Sequence, residues 1–133
     1  MEKEGAGKKI LVVDDIEDNI RLVRKVLGFR GYDVVAARTG EDAISMAQTE
    51  LPDLILMDVR LPGGIDGLEA TQRIKALSQL AHIPILAMTA SVKPEDVQRA
   101  LNEGCSAFIR KPVDIDEFPK QVAKHIARSS STD

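Results

Sequence analysis

The chain has 133 residues and a formal net charge of −3 at pH 7, which is the size of a single domain that can bury its own core. Aromatic residues make up only 3% of it, and a nucleic-acid surface would need basic charge or aromatic stacking platforms. The single cysteine, Cys105, excludes an internal disulfide framework and favours a reducing, cytosolic setting. No apolar run approaches the ~18 residues of a membrane helix, and no signal peptide is evident.

The first half of the chain predicts two strand–helix units. Residues 10–13 form a continuous apolar run, typical of a strand buried on both faces. Apolar residues then recur every three or four positions, which predicts a helix closed by Gly28. A second strand is predicted at 34–37, and its helix begins at a capping motif, 39–42. The predicted buried stripes of the two helices are Ile16, Ile20, Val23 and Leu27, then Ala43, Ile44, Ala47 and Leu51.

The second half predicts three more units of the same kind. Strands are predicted at 54–57, 83–88 and 107–109. Helices are predicted at 68–77, between Pro94 and Gly104, and up to about residue 128. Pro119 fits this last helix without a bend only in its first turn, so we expect either a start at Asp116 or, for a start near Asp114, a bent helix. Its predicted buried residues are Ile115, Phe118, Val122 and Ile126.

Five successive βα units predict an α/β fold, in which helices cover both faces of a parallel sheet. The common order for five strands is 2-1-3-4-5, the doubly wound, flavodoxin-like (βα)5 arrangement. We expect residues 9–128 to form this domain, and residues 1–8 and 129–133 to be flexible tails.

Polar residues stand directly after four of the five predicted strands. In a parallel sheet these positions share one edge, and strands 1 and 3 are neighbours at the point where ligands bind. The side chains expected to converge there are Asp14, Asp15, Asp58, Thr89 and Lys111.

Three crowded carboxylates repel one another unless a cation intervenes. Oxygen ligands favour Mg²⁺, with Mn²⁺ as a possible substitute, and no His or Cys stands there to attract zinc. A metal, a lysine and a hydroxyl around one carboxylate is an arrangement for phosphoryl transfer, with the carboxylate as nucleophile and an acyl phosphate as product.

Four motifs connect this pattern to a known family. In their order and spacing, the chain resembles the receiver domain of two-component response regulators over residues 8–128, of the single-domain, chemotaxis-regulator-like kind. The motifs are Val12-Val13-Asp14-Asp15, Leu56-Met57-Asp58 with Leu61-Pro62, Met88-Thr89-Ala90, and Phe108-Ile109-Arg110-Lys111-Pro112.

The resemblance implies a role for each site residue. Asp58 would be the phosphoacceptor. Asp15, Asp58 and the backbone carbonyl of Arg60 would ligate Mg²⁺ directly, with Asp14 acting through water. Lys111 would contact the phosphoryl group, and the Lys111–Pro112 peptide bond would be cis.

The resemblance also implies how the protein signals. Thr89 and Phe108 would form a switch that moves after modification. The phosphoryl group would come from a sensor histidine kinase or a histidine phosphotransfer protein. The protein would be cytoplasmic. It would bind a downstream protein target, or relay the phosphoryl group onward, through the surface of its fourth helix, fifth strand and fifth helix, around Val92, Val97, Phe108 and Val113. We expect no output domain, no nucleic-acid or membrane partner, and no enzymatic activity beyond the protein's own phosphorylation and slow dephosphorylation.

The chain departs from the family pattern near the phosphoacceptor. Asp66-Gly67 stands one residue further from Asp58 than usual, as if Gly63 or Gly64 were inserted. Arg60 lies two residues after the phosphoacceptor, where its side chain can overhang a phosphoryl group.

Three alternative functions each need a sequence feature that can be checked here. A haloacid-dehalogenase-type phosphohydrolase needs Asp-x-Asp after the first strand. Here Ile16 stands where the second Asp of that motif would be. A nucleotide- or flavin-binding module needs a Gly- or Ser/Thr-rich loop there, whereas this loop is acidic. A receiver that only binds partners usually lacks an acid or the lysine, and here all of them are present.

Overall fold

A computed structural model of the chain describes residues 3–91 and 93–130, with side chains as far as residue 126. Strands and helices alternate throughout this range, as predicted. The ten elements are β1 (Lys9–Val13), α1 (Glu17–Phe29), β2 (Asp33–Ala37), α2 (Gly40–Glu50), β3 (Leu54–Asp58), α3 (Gly67–Lys75), β4 (Ile85–Thr89), α4 (Pro94–Asn102), β5 (Ala107–Arg110) and α5 (Glu117–Ser130).

The five strands form one parallel sheet in the predicted order, β2-β1-β3-β4-β5. At the carboxyl end of β1, Val13 is aligned with Ala37 of β2 on one side and with Met57 of β3 on the other. The next residue of β3, Asp58, is aligned with Met88 of β4. The ends of β1 and β3 are therefore adjacent at the centre of the sheet, where the strand order reverses.

The core lies in two layers, one on each face of the sheet. Successive side chains of a strand point to opposite faces, so Leu11 and Val13 belong to one layer, and Ile10 and Val12 to the other. Helices α2, α3 and α4 cover the first layer, and α1 and α5 cover the second. Burying each large aliphatic side chain stabilises the fold by roughly 1.5–3 kcal/mol, and this anchors the strand ends that carry the site.

Three residues predicted as buried are instead exposed at helix ends. Ile16 is the N-cap of α1, Leu51 is the C-cap of α2, and Ile115 precedes α5; they are 52%, 59% and 57% exposed. The helical period places a residue on the buried face only within the helix. At the caps the chain leaves the helical path, so the prediction was wrong for these three.

Helix α5 begins one residue later than expected, at Glu117, and Pro119 lies in its first turn. The Asp114 carboxylate accepts hydrogen bonds from the backbone N–H groups of Asp116 and Glu117. These bonds hold the pKa of Asp114 below its ordinary value, and they occupy N–H groups that have no partner within the helix.

Part of the predicted N-terminal tail packs against the domain. The Gly5 N–H donates to the Arg30 carbonyl at 2.9 Å, and Gly5 is buried against Tyr32. At the other end, residues 129 and 130 belong to α5. Residues 1–2 and 131–133 lie outside the described residues, and flexibility of the two ends stays a prediction.

The loop between β3 and α3, where the sequence carries an additional glycine, is held against α2. Gly63 has a φ of +97°, and the Gly64 N–H donates to the Glu41 carboxylate at 3.2 Å. The loop ends at Asp66, whose carboxylate caps α3 by accepting the Glu69 N–H at 2.8 Å. The extra residue is therefore accommodated as a turn outside both neighbouring elements.

Gly67 begins α3 in contact with the backbone of the phosphoacceptor candidate. A Cβ atom at Gly67 would lie 1.9 Å from the Asp58 carbonyl oxygen. Only glycine permits this approach, so the start of α3 fixes the position of the end of β3.

Gly67→Ala is expected to lower the free energy of unfolding by about 3 kcal/mol, because the new methyl group overlaps a backbone atom that cannot move freely. Gly28→Ala is the matched control, since Gly28 lies in α1 with nothing within 4 Å of its added Cβ. It should stabilise the protein by about 0.5–1 kcal/mol through helix propensity. Urea unfolding measures both, and equal stabilities for the two variants would contradict the close approach at Gly67.

Candidate functional site

Three carboxylates meet at the centre of the carboxyl edge of the sheet. Asp14 and Asp15 follow β1, and Asp58 is the last residue of β3. One oxygen from each lies within 4.8 Å of the others. The sequence prediction that these three residues converge agrees with this geometry, because adjacent parallel strands place their ends side by side.

Asp14 is completely buried, and hydrogen-bond donors surround its carboxylate. Its Oδ1 accepts the Ile16 N–H at 3.0 Å. Its Oδ2 accepts the Asn19 amide at 3.1 Å and the Lys111 ammonium at 2.9 Å. A buried charge is tolerated only when it is paired and hydrogen-bonded, and these three donors meet that requirement.

Lys111 bridges two carboxylates. Its Nζ lies 2.9 Å from Asp14 Oδ2 and 3.1 Å from Asp58 Oδ2. Burial lowers the pKa of Lys111, but the hydrogen bond to Asp14 and the charge of Asp58 outweigh burial and raise the pKa above its ordinary value. Lys111 therefore remains charged. The Lys111–Pro112 peptide bond is cis, as the resemblance implied.

Asp58 is 6% exposed, so little water reaches its carboxylate. Burial raises the pKa of Asp58 above the ordinary carboxyl value. Lys111 and the Arg60 N–H, which donates to Oδ1 at 3.1 Å, lower it in part. The carboxylate is thus held in place, but these two donors only partly offset the effect of burial on its pKa.

The charge balance and the donor set suit a divalent cation. Three carboxylates face one ammonium group, which leaves two negative charges uncompensated. Asp15 is exposed, and among the described residues its carboxylate has no hydrogen-bond or ion-pair partner. Oxygen ligands of this kind are what Mg²⁺ prefers. The acidic cluster could therefore hold a metal ion.

Thr89, the last residue of β4, is turned toward its own loop. Its hydroxyl accepts the Ser91 N–H at 3.0 Å and donates to the Ser91 carbonyl at 3.2 Å. Ser91 Oγ in turn donates to the Asp96 carboxylate of α4. Thr89 nevertheless lines one cavity of about 300 Å³ together with Asp15, Asp58 and Lys111, so the residue lies at the site.

Phe108 and Thr89 share a second cavity. This space of about 350 Å³ lies beside the carboxylate site and is bounded by α3, α4 and β5. Phe108 is half-buried against the core layer of α2, α3 and α4. Arg60 is exposed and lines both cavities, which places this residue beside the phosphoacceptor candidate.

The predicted output surface is described in part. Val97 and Val113 are half-buried, as is Phe108. Val113 packs against the core layer of α1 and α5. Val92 lies outside the described residues. Within the described ranges, no helix is long and apolar enough to cross a membrane.

Sequence reasoning missed three residues that shape the site. Asn19 donates to Asp14, Ser91 holds Thr89, and Gly67 abuts the Asp58 backbone. The available signal for Asn19 was its place in the first helix after the Asp14–Asp15 pair, one residue before the buried Ile20. For Ser91 and Gly67, only tertiary contact identifies the role.

Comparison with known proteins agrees with this geometry. Residues 10–123 match the family model of the response regulator receiver domain. The polar-differentiation response regulator DivK of Brucella abortus is 36% identical over 119 residues, which cover 90% of this chain and 96% of the relative. A chemotaxis protein of Vibrio cholerae, CheY4, superimposes with a TM-score of 0.84 and 30% identity, covering 90% of this chain and 98% of that chain.

One further solved structure bears on the metal. It is the receiver domain of a sensor histidine kinase from Pseudomonas aeruginosa, with a magnesium ion coordinated in the active-site cleft. Its TM-score is 0.84 and its identity 33%, with 92% of this chain and 99% of that chain covered.

The raised pKa of Asp58 predicts a pH-dependent stability. The folded protein holds the Asp58 proton more tightly than the unfolded chain does, so stability without metal falls as the pH rises through the ordinary carboxyl range to the raised pKa. Asp58→Asn removes this loss and leaves Lys111 paired with Asp14. In EDTA near neutral pH, the variant should be more stable than wild type by roughly 1–2 kcal/mol.

Urea unfolding between about pH 4 and pH 8 measures this difference, which should grow with pH over the titration range. Asp18→Asn is the control, because Asp18 is exposed on α1 and its replacement should change stability by less than about 0.5 kcal/mol. A stability difference for Asp58→Asn that does not vary with pH would contradict the assignment.

Proposed function

Because the chain belongs to the response regulator receiver family, we propose that it accepts a phosphoryl group on Asp58 and signals through the resulting change in its surface. The observation that carries this proposal is the shared lysine. Lys111 lies 3.1 Å from Asp58 while Asp14 holds it at 2.9 Å, beside the acidic cluster. The Asp58 carboxylate thus borders the cavity with the Lys111 ammonium next to it.

The proposed donor is the phosphohistidine of a sensor histidine kinase or of a histidine phosphotransfer protein. An Asp58 carboxylate oxygen attacks the phosphorus atom and forms a new P–O bond. The P–N bond of the donor breaks, and its electron pair returns to the imidazole. Lys111 is placed to neutralise the phosphoryl oxygens as charge develops on them. The Arg60 N–H orients the attacking carboxylate through Oδ1.

Asp15, Asp58 and the backbone carbonyl of Arg60 are the proposed direct ligands of Mg²⁺, or of Mn²⁺ in its place. When bound, the ion neutralises the acidic cluster and the transferred phosphoryl group. Asp14 acts through water in this proposal, because its carboxylate oxygens already accept three donors. The exposed Asp15 has the freedom that a direct ligand needs.

Thr89 and Phe108 are the proposed switch. For the Thr89 hydroxyl to reach a phosphoryl group on Asp58, it must give up its two bonds to Ser91. Phe108 borders the same cavity as Thr89, which gives its ring space to move inward. Phosphorylation would thereby shift a two-state equilibrium at α4, β5 and α5.

That shifted surface is the proposed binding site for a downstream protein, with onward phosphorelay as the other route. The protein is a signalling receiver and not a classical enzyme; we propose that it catalyses its own phosphorylation and a slow dephosphorylation. We also propose a cytoplasmic location and no direct contact with nucleic acid or membrane, in keeping with the net charge of −3.

Phosphorylation is tested directly by mass. Incubation with Mg²⁺ and a small phosphodonor such as acetyl phosphate should add the mass of one phosphoryl group to the intact protein. Asp58→Asn should gain none, because an amide is a poor nucleophile toward phosphorus. Asp18→Asn, which removes an exposed carboxyl that lines neither cavity at the site, should gain it as wild type does. Mass gain that survives in Asp58→Asn would overturn the assignment.

The Arg60 side chain is proposed to control the lifetime of the phosphoryl group, because it lines the cavity over Asp58 and its bulk and charge limit water access. Arg60→Ala should change the dephosphorylation rate severalfold, and we expect hydrolysis to be faster. The rate is followed by loss of the phosphoryl mass after donor removal. Arg24→Ala, an exposed α1 arginine, is the control. Equal rates for wild type and Arg60→Ala would end the idea.

A further inference from the structure

Asn19 connects α1 to the reactive lysine. Its amide nitrogen donates to Asp14 Oδ2 at 3.1 Å, the same oxygen that accepts Lys111 Nζ at 2.9 Å. Lys111 Nζ continues to Asp58 Oδ2 at 3.1 Å. A continuous chain of polar contacts therefore runs from the first turns of α1 to the phosphoacceptor.

We infer that Asn19 is a positioning residue: it sets how strongly Asp14 holds the Lys111 ammonium in competition with Asp58. This inference rests on the proposed function. Asn19 touches neither the phosphoacceptor nor the proposed direct metal ligands; it acts through the buried Asp14 carboxylate.

A buried anion must find its hydrogen-bond donors within the protein. Asp14 is 0% exposed, so no bulk water can replace a missing donor. Of its three donors, the Ile16 N–H is backbone and Lys111 is needed at Asp58. Asn19 is the one neutral side chain, and it occupies the oxygen that Lys111 also uses.

A second donor on Asp14 Oδ2 weakens the hold of that oxygen on Lys111. The amide N–H takes up part of the negative charge of the oxygen, so the ammonium is less strongly drawn toward Asp14 and more available to Asp58 and an incoming phosphoryl group. Without the amide, Oδ2 has Lys111 as its sole donor. Lys111 should then be held closer to Asp14, and phosphoryl transfer should slow.

The same amide also affects the cation. Its positive hydrogen points at the acidic cluster, and removing it makes the potential at the cluster more negative. Mutating the groups behind metal ligands usually costs 10–100-fold in affinity or activity, so a gain in Mg²⁺ affinity would be specific to the more negative potential. Loss of the Asn19 donor should therefore tighten Mg²⁺ binding while it slows phosphorylation. Simple damage to the site would weaken both.

The test is Asn19→Leu, which keeps the approximate shape and removes the donor. We expect phosphorylation by acetyl phosphate at saturating Mg²⁺ to slow about tenfold, and the Mg²⁺ dissociation constant by calorimetry to fall about threefold or more. Asn19→Ala, which removes the amide donor and adds neither bulk nor charge, should shift both measurements in the same directions. It also serves if Asn19→Leu fails to fold, which thermal unfolding in EDTA checks.

Asn102→Leu is the matched control, because Asn102 is the other asparagine of the chain and is exposed at the end of α4. It should leave both measurements unchanged. Mg²⁺ binding that is unchanged or weaker in folded Asn19→Leu and Asn19→Ala, or phosphorylation at the wild-type rate, would overturn the inference. Failure of the proposed function looks different: wild type itself would gain no phosphoryl mass, and the Mg²⁺ affinities would then decide the role of Asn19.

Discussion

The structure depends on one ammonium group shared by two carboxylates. Lys111 Nζ lies between Asp14 and Asp58 and contacts both within 3.1 Å. Without it, two buried carboxylates would face each other in a medium that screens charge poorly. The doubly wound sheet makes this contact possible, because β1, β3 and β5 present their ends at one edge although Asp14 and Lys111 are 97 positions apart in the chain.

The three acids of the cluster are compensated to different degrees. Asp14 accepts three donors and serves as a fixed anchor. Asp58 is buried with partial compensation, and Asp15 is open to solvent. This gradient fits the proposed division into structural and reactive roles among residues of the same type. It also leaves negative charge at the site, which costs stability and attracts a cation.

The β3–α3 loop and the β4–α4 loop, on either side of the site, are held by different contacts. Gly67 brings the start of α3 against the Asp58 carbonyl, and Glu41 holds the glycine turn before it. On the other side, Ser91 engages both Thr89 and Asp96. The β3–α3 connection is thus fixed by backbone contact, whereas the Thr89 hydroxyl is held by two hydrogen bonds that a stronger acceptor can replace. This difference in rigidity matches the proposed roles of phosphoacceptor and switch.

Sequence alone determined the order of elements, the sheet topology and the five polar residues at its edge. The physical reason is that strands buried on both faces appear as unbroken apolar runs, so the residue that ends each run, such as Asp14 or Asp58, is placed without further information. Helical periodicity was less informative at helix ends, where Ile16 and Ile115 proved exposed. Only the tertiary structure decided which neighbour each polar group meets. That Asn19 reaches Asp14, and that Gly67 meets Asp58, depends on how each helix is rotated and docked on the sheet, and local sequence does not encode that rotation residue by residue.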